Sequence, residues 1–196
     1  MKAVLATLTL STLASASPLL NGEVNRIVRR TNEESKPDMS GVPFYYTSTY
    51  AIKATPDQVV DAENEFTGGL EGASGWFLYG INSHENVICY NITIDGFRGD
   101  FQSPANTATH IHEGKRGMAG PPRIAFPNPM GENGHINTVG CLKGPFETGV
   151  VTDGVDSGEG FHVKQIEDSP ASFFTDIHSS EAVPGAVRGQ LGPDEC

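Results

Sequence analysis

Three histidines and one aspartate are spaced as metal ligands would be on β-strands. His110 and His112 are two residues apart, and so are Asp176 and His178. Because successive side chains of a strand point to opposite faces, each pair shares one face, with Cα atoms about 7 Å apart. Imidazole nitrogens with a remaining open position suit Zn²⁺ or Cu²⁺. The pattern therefore predicts a copper or zinc site with His110, His112 and His178 as ligands, and Asp176 as a fourth ligand or an orienting partner.

The same spacing has a simpler interpretation. Ile111 and Ile177 would face the core, and the histidines would then be polar residues on the outer face of two amphipathic strands. A metal site additionally requires the two strands to be neighbours in one sheet, with the three rings within about 5 Å of a shared point. The other histidines give weaker signals: they are His84, His135 and His162, of which His135 would be the next candidate ligand.

No catalytic residue can be named from the sequence. It contains no Gly-x-Ser-x-Gly motif and no phosphate-binding loop. Its acidic residues are too scattered to single out a glycosidase pair. The question of enzymatic activity therefore stays open, and a protein without activity is the favoured interpretation.

The elements that must position the histidines are short strands. The extended segments are 44–54, 75–82, 87–95, 107–113, 122–126, 136–144, 172–178 and 186–191, with 161–166 a strand or turn. One helix-like run spans 56–63. Together with 23 glycines and 13 prolines, this predicts an all-β fold: an antiparallel β-sandwich or barrel with long Gly/Pro loops and at most one short helix.

The N-terminus has the features of a secretory signal. A short charged start and an apolar run lead to the small residues Ala14, Ser15 and Ala16, so residues 1–16 are predicted to be a cleaved signal peptide. Residues 17–43 are interpreted as a flexible leader or pro-segment, which contains the dibasic pair Arg29–Arg30. The domain would span 44–192 and a tail 193–196. No segment is long enough to span a membrane, so a secreted, extracellular protein is expected.

Charge and cysteines agree with that compartment. The formal net charge is −11, which repels phosphate backbones and argues against nucleic-acid binding. Three cysteines allow one disulfide and a leftover thiol. Cys89–Cys141 is the favoured pair, because both lie inside the predicted domain; Cys141–Cys196 is the alternative. Asn91 begins the single N-glycosylation sequon, Asn-Ile-Thr.

Several of these stretches together resemble the CHRD domain, a secreted module. The matching segments are Ala108-Thr-His-Ile-His-Glu-Gly114, Gly120-Pro-Pro122, Gly140-Cys-Leu142, Phe174-Thr-Asp-Ile-His178 and Pro184-Gly-Ala-Val-Arg-Gly-Gln-Leu191. The resemblance covers roughly residues 45–192 and is closest to fungal single-domain secreted members. The chain departs from the family pattern at Glu113, at Ser179 and at Ala186, which replaces a second turn glycine.

The resemblance implies an extracellular β module without an established enzymatic activity. The partner would then be an extracellular ligand or a cell-wall component, and His110, His112 and His178 fall on motif positions. The alternative is a copper/zinc metalloenzyme resembling superoxide dismutase, which is also an antiparallel sandwich with a His-x-His strand and a disulfide. That enzyme pattern needs a bridging histidine shortly after the first pair, and residues 113–134 contain no histidine.

Overall fold

A computed structural model describes residues 45–193. The predicted signal peptide 1–16, the leader 17–43 with its dibasic pair, and Cys196 lie outside the described residues. Within 45–193 no helix is long and apolar enough to cross a membrane.

The described residues form eleven strands and one short α-helix. In chain order they are β1 (Ser48–Ala54), β2 (Ser74–Asn82), β3 (Val87–Asp95), β4 (Thr109–Glu113), β5 (Pro122–Phe126), β6 (Met130–Glu132), β7 (His135–Lys143), β8 (Val151–Thr152), β9 (Val155–Asp156), α1 (Lys164–Asp168), β10 (Phe173–Ser179) and β11 (Ala182–Gln190). All the pairings are antiparallel: one sheet has the order β1-β2-β3-β7-β6, a second has β11-β10-β4-β5, and β8 and β9 form a small hairpin. The predicted all-β class is confirmed, in a sandwich-like arrangement in which the described strands close no barrel.

The hairpin of β2 and β3 shows how the sequence pattern builds these sheets. Along β2 the side chains alternate, so Phe77 is buried while Trp76 and Leu78 are exposed. The turn that joins the strands is held by Asn82, whose side-chain oxygen accepts hydrogen bonds from the backbone N–H groups of His84 and Glu85. Asn86 then takes a left-handed conformation (φ 53°) that asparagine tolerates well.

The two larger sheets share one hydrophobic core. Its buried side chains come from both of them: Phe77, Ile81 and Ile92 from the five-stranded sheet, and Ile111 and Ile177 from the four-stranded sheet. Alternation places these residues on the facing surfaces of the two sheets. The core thus fixes which face of β4 and β10 points inward and which points away.

The disulfide lies in the five-stranded sheet. Cys89 on β3 and Cys141 on β7 are directly opposite each other and are bonded. The favoured pairing is therefore confirmed, and the alternative pair Cys141–Cys196 does not form.

The helix-like run 56–63, expected to make one or two turns from Pro56, makes a single turn there, and the α-helix lies elsewhere. The run 56–63 makes only a 3₁₀ turn, Pro56–Gln58, after which Val59 is extended and buried; β-branched Val59 and Val60 favour this extended backbone. The one α-helix of the described residues, α1, falls in the region interpreted as a strand or turn, where Ile166 turns into the core.

Two irregular segments cover the outer face of the four-stranded sheet. One is the connection 55–66 between β1 and β2, and the other is the loop 114–121 between β4 and β5. They are held together where Asn64 accepts a hydrogen bond from the Ala119 N–H (2.7 Å) and where Arg116 donates to Gln58 (2.8 Å). This cover explains why polar side chains on an outer sheet face are buried.

Candidate metal centre

The two histidine strands are direct neighbours. In the antiparallel pairing of β4 with β10, His110 lies opposite Asp176 and His112 lies opposite Phe174. Ile111 and Ile177 are fully buried on the core side. The predicted pairing and common face are confirmed. The histidines lie on the face opposite the core, as the simpler interpretation also requires, but the covering segments bury His110 and His112 there.

Each of the four residues offers one ligand atom, and these atoms lie within 4.8 Å of one another. His112 Nε2 is 3.3 Å from Asp176 Oδ1, and His178 Nε2 is 3.3 Å from Asp176 Oδ2. His110 Nδ1 is 3.6 Å from Asp176 Oδ1. The carboxylate is thus the centre around which the three rings converge.

The second nitrogen of every ring donates a hydrogen bond to a backbone carbonyl. His110 Nε2 donates to Thr107 O (2.7 Å), His112 Nδ1 to Gly120 O (2.8 Å) and His178 Nδ1 to Val183 O (2.9 Å). A carbonyl can only accept, so these bonds fix the tautomer of each neutral ring. The nitrogen facing Asp176 then carries a lone pair in all three neutral rings, as a metal-binding imidazole does.

With all three rings neutral, this arrangement brings hydrogen-bond acceptors together without donors. Among the described residues, His110 Nδ1, His112 Nε2 and Asp176 Oδ1 are buried side-chain atoms without a hydrogen-bond partner. Buried polar atoms normally find partners, since an unsatisfied group costs about 1–3 kcal/mol. Lone pairs that converge in this way are stabilised by a cation between them, either a proton or a metal ion.

The electrostatics of the metal-free site follow from burial and from the carboxylate. Burial lowers the pKa of His110, which keeps that ring neutral. Burial acts the same way on His178, but the charge of Asp176 outweighs it and raises the pKa of His178 to about 9. Burial would raise the pKa of Asp176, yet the charges of His112 and His178 hold it well below its ordinary value. In the metal-free protein, protonated His178 therefore supplies a positive charge beside Asp176, as a bound cation would.

Phe174 supports the site from the middle strand. Its ring stacks on His112 of β4 (centroids 4.9 Å apart, planes 6° apart), and the Arg188 guanidinium of β11 lies 3.4 Å from its centroid. Arg188 also donates to Lys115 O (2.9 Å) in the covering loop. The charge pattern suggests that Arg188 would pair with Asp176 or Glu113. It forms an ion pair with neither of them: Glu113 pairs with Arg123 at 2.8 Å, and Asp176 is contacted by the three histidines.

The glycines of the matching segments are explained by close backbone approach. A Cβ on Gly120 would lie 1.8 Å from the carbonyl oxygen of Glu113, so only glycine lets the loop close onto β4 and present its carbonyl to His112. A Cβ on Gly189 would lie 2.5 Å from Ile52, so glycine there lets β11 pack against β1.

Gln190 fastens the same loop. Its side-chain amide donates to Gly114 O and Ala171 O, both at 2.8 Å. The Arg-Gly-Gln run 188–190 therefore holds the cover over the histidines. The spacing of these residues in the sequence did not predict their contacts with loop carbonyls.

A cavity of about 370 Å³ adjoins the site. The cluster residues His112, Asp176 and His178 line it together with Arg188, and its other walls include Val59, Val60, Ala62, Val183 and Pro184. A small molecule could therefore approach the carboxylate and two of the three histidines.

The remaining histidines lie apart from this group. His135 binds Asp95 at 2.6 Å on the other sheet, His84 lies beside Tyr45, and His162 accepts a hydrogen bond from the Lys164 N–H. His135 is thus not part of the four-residue cluster, although it was the next candidate from the sequence.

Comparison with known proteins identifies the family. The family model described as CHRD domain matches residues 51–191. No curated protein and no solved structure was found to match. Because the match spans most of the sequence and includes all four residues of the cluster, the chain belongs to the CHRD domain family.

Proposed function

We propose that this protein is a secreted CHRD module that binds one divalent transition-metal ion, zinc or copper, without catalysing a reaction. The ligands would be His110, His112, His178 and Asp176. The observation that carries the proposal is the convergence of three imidazole lone pairs on a buried carboxylate, each ring held by a backbone carbonyl. Neutral imidazoles and a carboxylate are a donor set that suits both ions.

A bound cation would stabilise the buried hydrogen-bond acceptors that converge in the cluster. It would provide His110 Nδ1, His112 Nε2 and Asp176 Oδ1 with the partner that they lack among the described residues. The carbonyl bonds would hold the rings in the binding orientation before the ion arrives, and such outer partners commonly contribute 10–100-fold to metal affinity.

Secretion is part of the proposal. It is supported by the signal-like residues 1–16 and by a disulfide within the domain, because disulfides persist on the oxidising side of the secretory route. The partner would be an extracellular ligand or a cell-wall component that reaches the cavity beside the metal. N-terminal sequencing of protein from culture medium tests this part: we expect a start after residue 16 or after Arg30, and a start at Met1 would contradict it.

The cavity also favours a second candidate, a copper/zinc metalloenzyme of the superoxide dismutase kind. Catalytic metal sites keep a position open to substrate, and the cavity reaches three of the four ligands. Against it, the described part of the chain holds a ligand group for one ion and no bridging histidine. A superoxide assay on the copper- and zinc-loaded protein separates the two, since the binding module predicts no activity above that of free metal.

Calorimetric titration tests metal binding itself. Wild type should bind one Zn²⁺ or Cu²⁺ per chain, and His112→Ala and His178→Ala should weaken binding at least tenfold. His135→Ala is the matched control, because His135 forms an exposed ion pair with Asp95 on the other sheet. Equal affinity in all four proteins would refute the site.

A further inference from the structure

The outer face of the five-stranded sheet carries an exposed apolar stripe. Trp76 is 50% exposed, Leu78 41% and Val139 66%, and Tyr46 at the same face is 47% exposed. The stripe lies on the far side of β2, β3 and β7 from the core and is separate from the histidine cluster. Contiguous apolar surface of this kind usually has an occupant.

Asn91 stands in the middle of this stripe. It is exposed, and on the sheet it lies between Leu78 of β2 and Val139 of β7. Trp76 lies opposite Thr93, the last residue of the sequon that Asn91 begins. The sequence signal for sugar attachment and the apolar face therefore coincide.

The amide of Asn91 is oriented for attachment. Asn137 of β7 donates to Asn91 Oδ1 (2.9 Å) and to Thr93 Oγ1 (2.8 Å), which holds the oxygen side of the amide toward β7. Within the described part of the chain the amide nitrogen of Asn91, the atom that carries an N-linked sugar, makes no hydrogen bond.

A groove of about 450 Å³ runs beside Asn91. Its walls include Tyr46, Leu78 and Val139, and Gly80 and Gly140 also line it. The Tyr46 ring lies so close over Gly80 that a Cβ there would be 2.5 Å from it. Flat aromatic and aliphatic surfaces of this kind suit the apolar faces of sugar rings.

We propose that Asn91 is N-glycosylated and that its glycan lies along the groove and covers the apolar stripe. The proposal rests on the secretory route of the proposed function, because sugar is transferred only to chains that enter that route. It is independent of metal binding. Asn91 sits in a regular strand, which does not prevent attachment if the sugar is transferred before the sheet forms.

The first test is mass mapping of the full-length chain, expressed with its own N-terminus in a eukaryotic secretion host. Wild type in the medium should carry one glycan at Asn91, removable by a peptide N-glycosidase that leaves aspartate there. Thr93→Ala and Asn91→Gln should lose the glycan, and Thr93→Ser, which keeps the sequon, should retain it. Protein in the medium without sugar at Asn91 would overturn the proposal.

Failure of secretion gives a different result. If no protein reaches the medium, the secretory part of the proposed function is wrong. Replacing residues 1–16 by a host signal then decides the glycan separately, by the same mapping of Asn91.

The second test asks whether the sugar covers the stripe. Trp76 is the single tryptophan of the sequence, so tryptophan fluorescence reports on this face alone. Enzymatic removal of the glycan from the folded protein should shift the emission to the red and strengthen quenching by acrylamide, in wild type and in Thr93→Ser alike. Unchanged emission and quenching would overturn the proposal that the glycan covers the Trp76 end of the stripe, which lies outside the groove.

Discussion

The charge of Asp176 should make the stability of the metal-free protein depend on pH through His178. Burial alone would lower the pKa of His178, but Asp176 raises it from 6.5 to about 9. At about 1.4 kcal/mol for each pKa unit, the pair stabilises the fold by about 3 kcal/mol. Because the folded pKa is the higher one, this contribution is fully present below about pH 6.5 and is lost as the pH rises through about 9.

The assay is denaturant unfolding of chelator-treated protein between pH 6.5 and 9.5. The control variant is His178→Asn, whose amide nitrogen takes the position of Nδ1 and can donate to the Val183 carbonyl, but which cannot be protonated. The difference in free energy of unfolding between wild type and variant should shrink by about 3 kcal/mol over this range. A difference that stays constant with pH would refute the proposed ion pair of His178 and Asp176.

Metal affinity should depend on pH in the opposite direction: it should rise with pH, whereas the His178 contribution to the stability of the metal-free protein falls. A bound ion must displace the proton of His178, so the apparent affinity for Zn²⁺ should rise about tenfold per pH unit from about pH 6.5 to 9. Calorimetry at pH 7.5 in buffers of different ionisation enthalpy should detect about one proton released per ion. Release of no proton would show that the ion binds without displacing it.

Three further variants test the supports of the fold and of the site. Gly120→Ala would place a Cβ 1.8 Å from the Glu113 carbonyl oxygen, so the loop 114–121 should move. Titration should then show zinc affinity about 10–100-fold weaker. Unchanged affinity would contradict the role of the Gly120 carbonyl in holding His112. The double change Cys89→Ser, Cys141→Ser removes a disulfide between residues with a sequence separation of 52. It should lower the free energy of unfolding by about 4 kcal/mol. A loss below about 1 kcal/mol would contradict a stabilising role of the disulfide. Burial would raise the pKa of Asp156, but hydrogen bonds from backbone N–H groups lower it. The ionised carboxylate therefore stabilises the fold above about pH 4 and this stabilisation is lost in acid, so Asp156→Asn should lower the free energy of unfolding at pH 7 but change it little at pH 3. Equal losses at both pH values would exclude a stabilising effect of the Asp156 charge.

Local alternation was enough to predict which side chains of the cluster share a face. The side chains of His110 and His112 share a face because a strand has a period of two, and the core residues Ile111 and Ile177 fix which face that is. The same rule places Asp176 and His178 together. Neighbouring strands then bring the two pairs within reach, as the pairing of β4 with β10 shows.

The burial of the cluster could not be predicted in this way. It depends on segments 55–66 and 114–121, whose positions are set by contacts distant in sequence, such as Asn64 with Ala119. For the same reason the sequence did not predict that Arg188 binds the covering loop. Its partner is the backbone carbonyl of Lys115, and every residue has such a carbonyl, so the residue types do not indicate this contact. The helix α1 was missed because five residues are too few to show a helical period, while Ile166 is drawn into the core by tertiary packing.

Anomalous diffraction from a crystal of the zinc-loaded protein tests the central claim most directly. The proposal predicts one peak per chain within about 2.0–2.2 Å of His110 Nδ1, His112 Nε2, His178 Nε2 and a carboxylate oxygen of Asp176. The peak should lose height in His112→Ala relative to wild type and keep it in His135→Ala. A zinc-loaded wild-type crystal whose peaks lie only elsewhere, for example beside His135 and Asp95, would contradict the assignment of this cluster as the metal site.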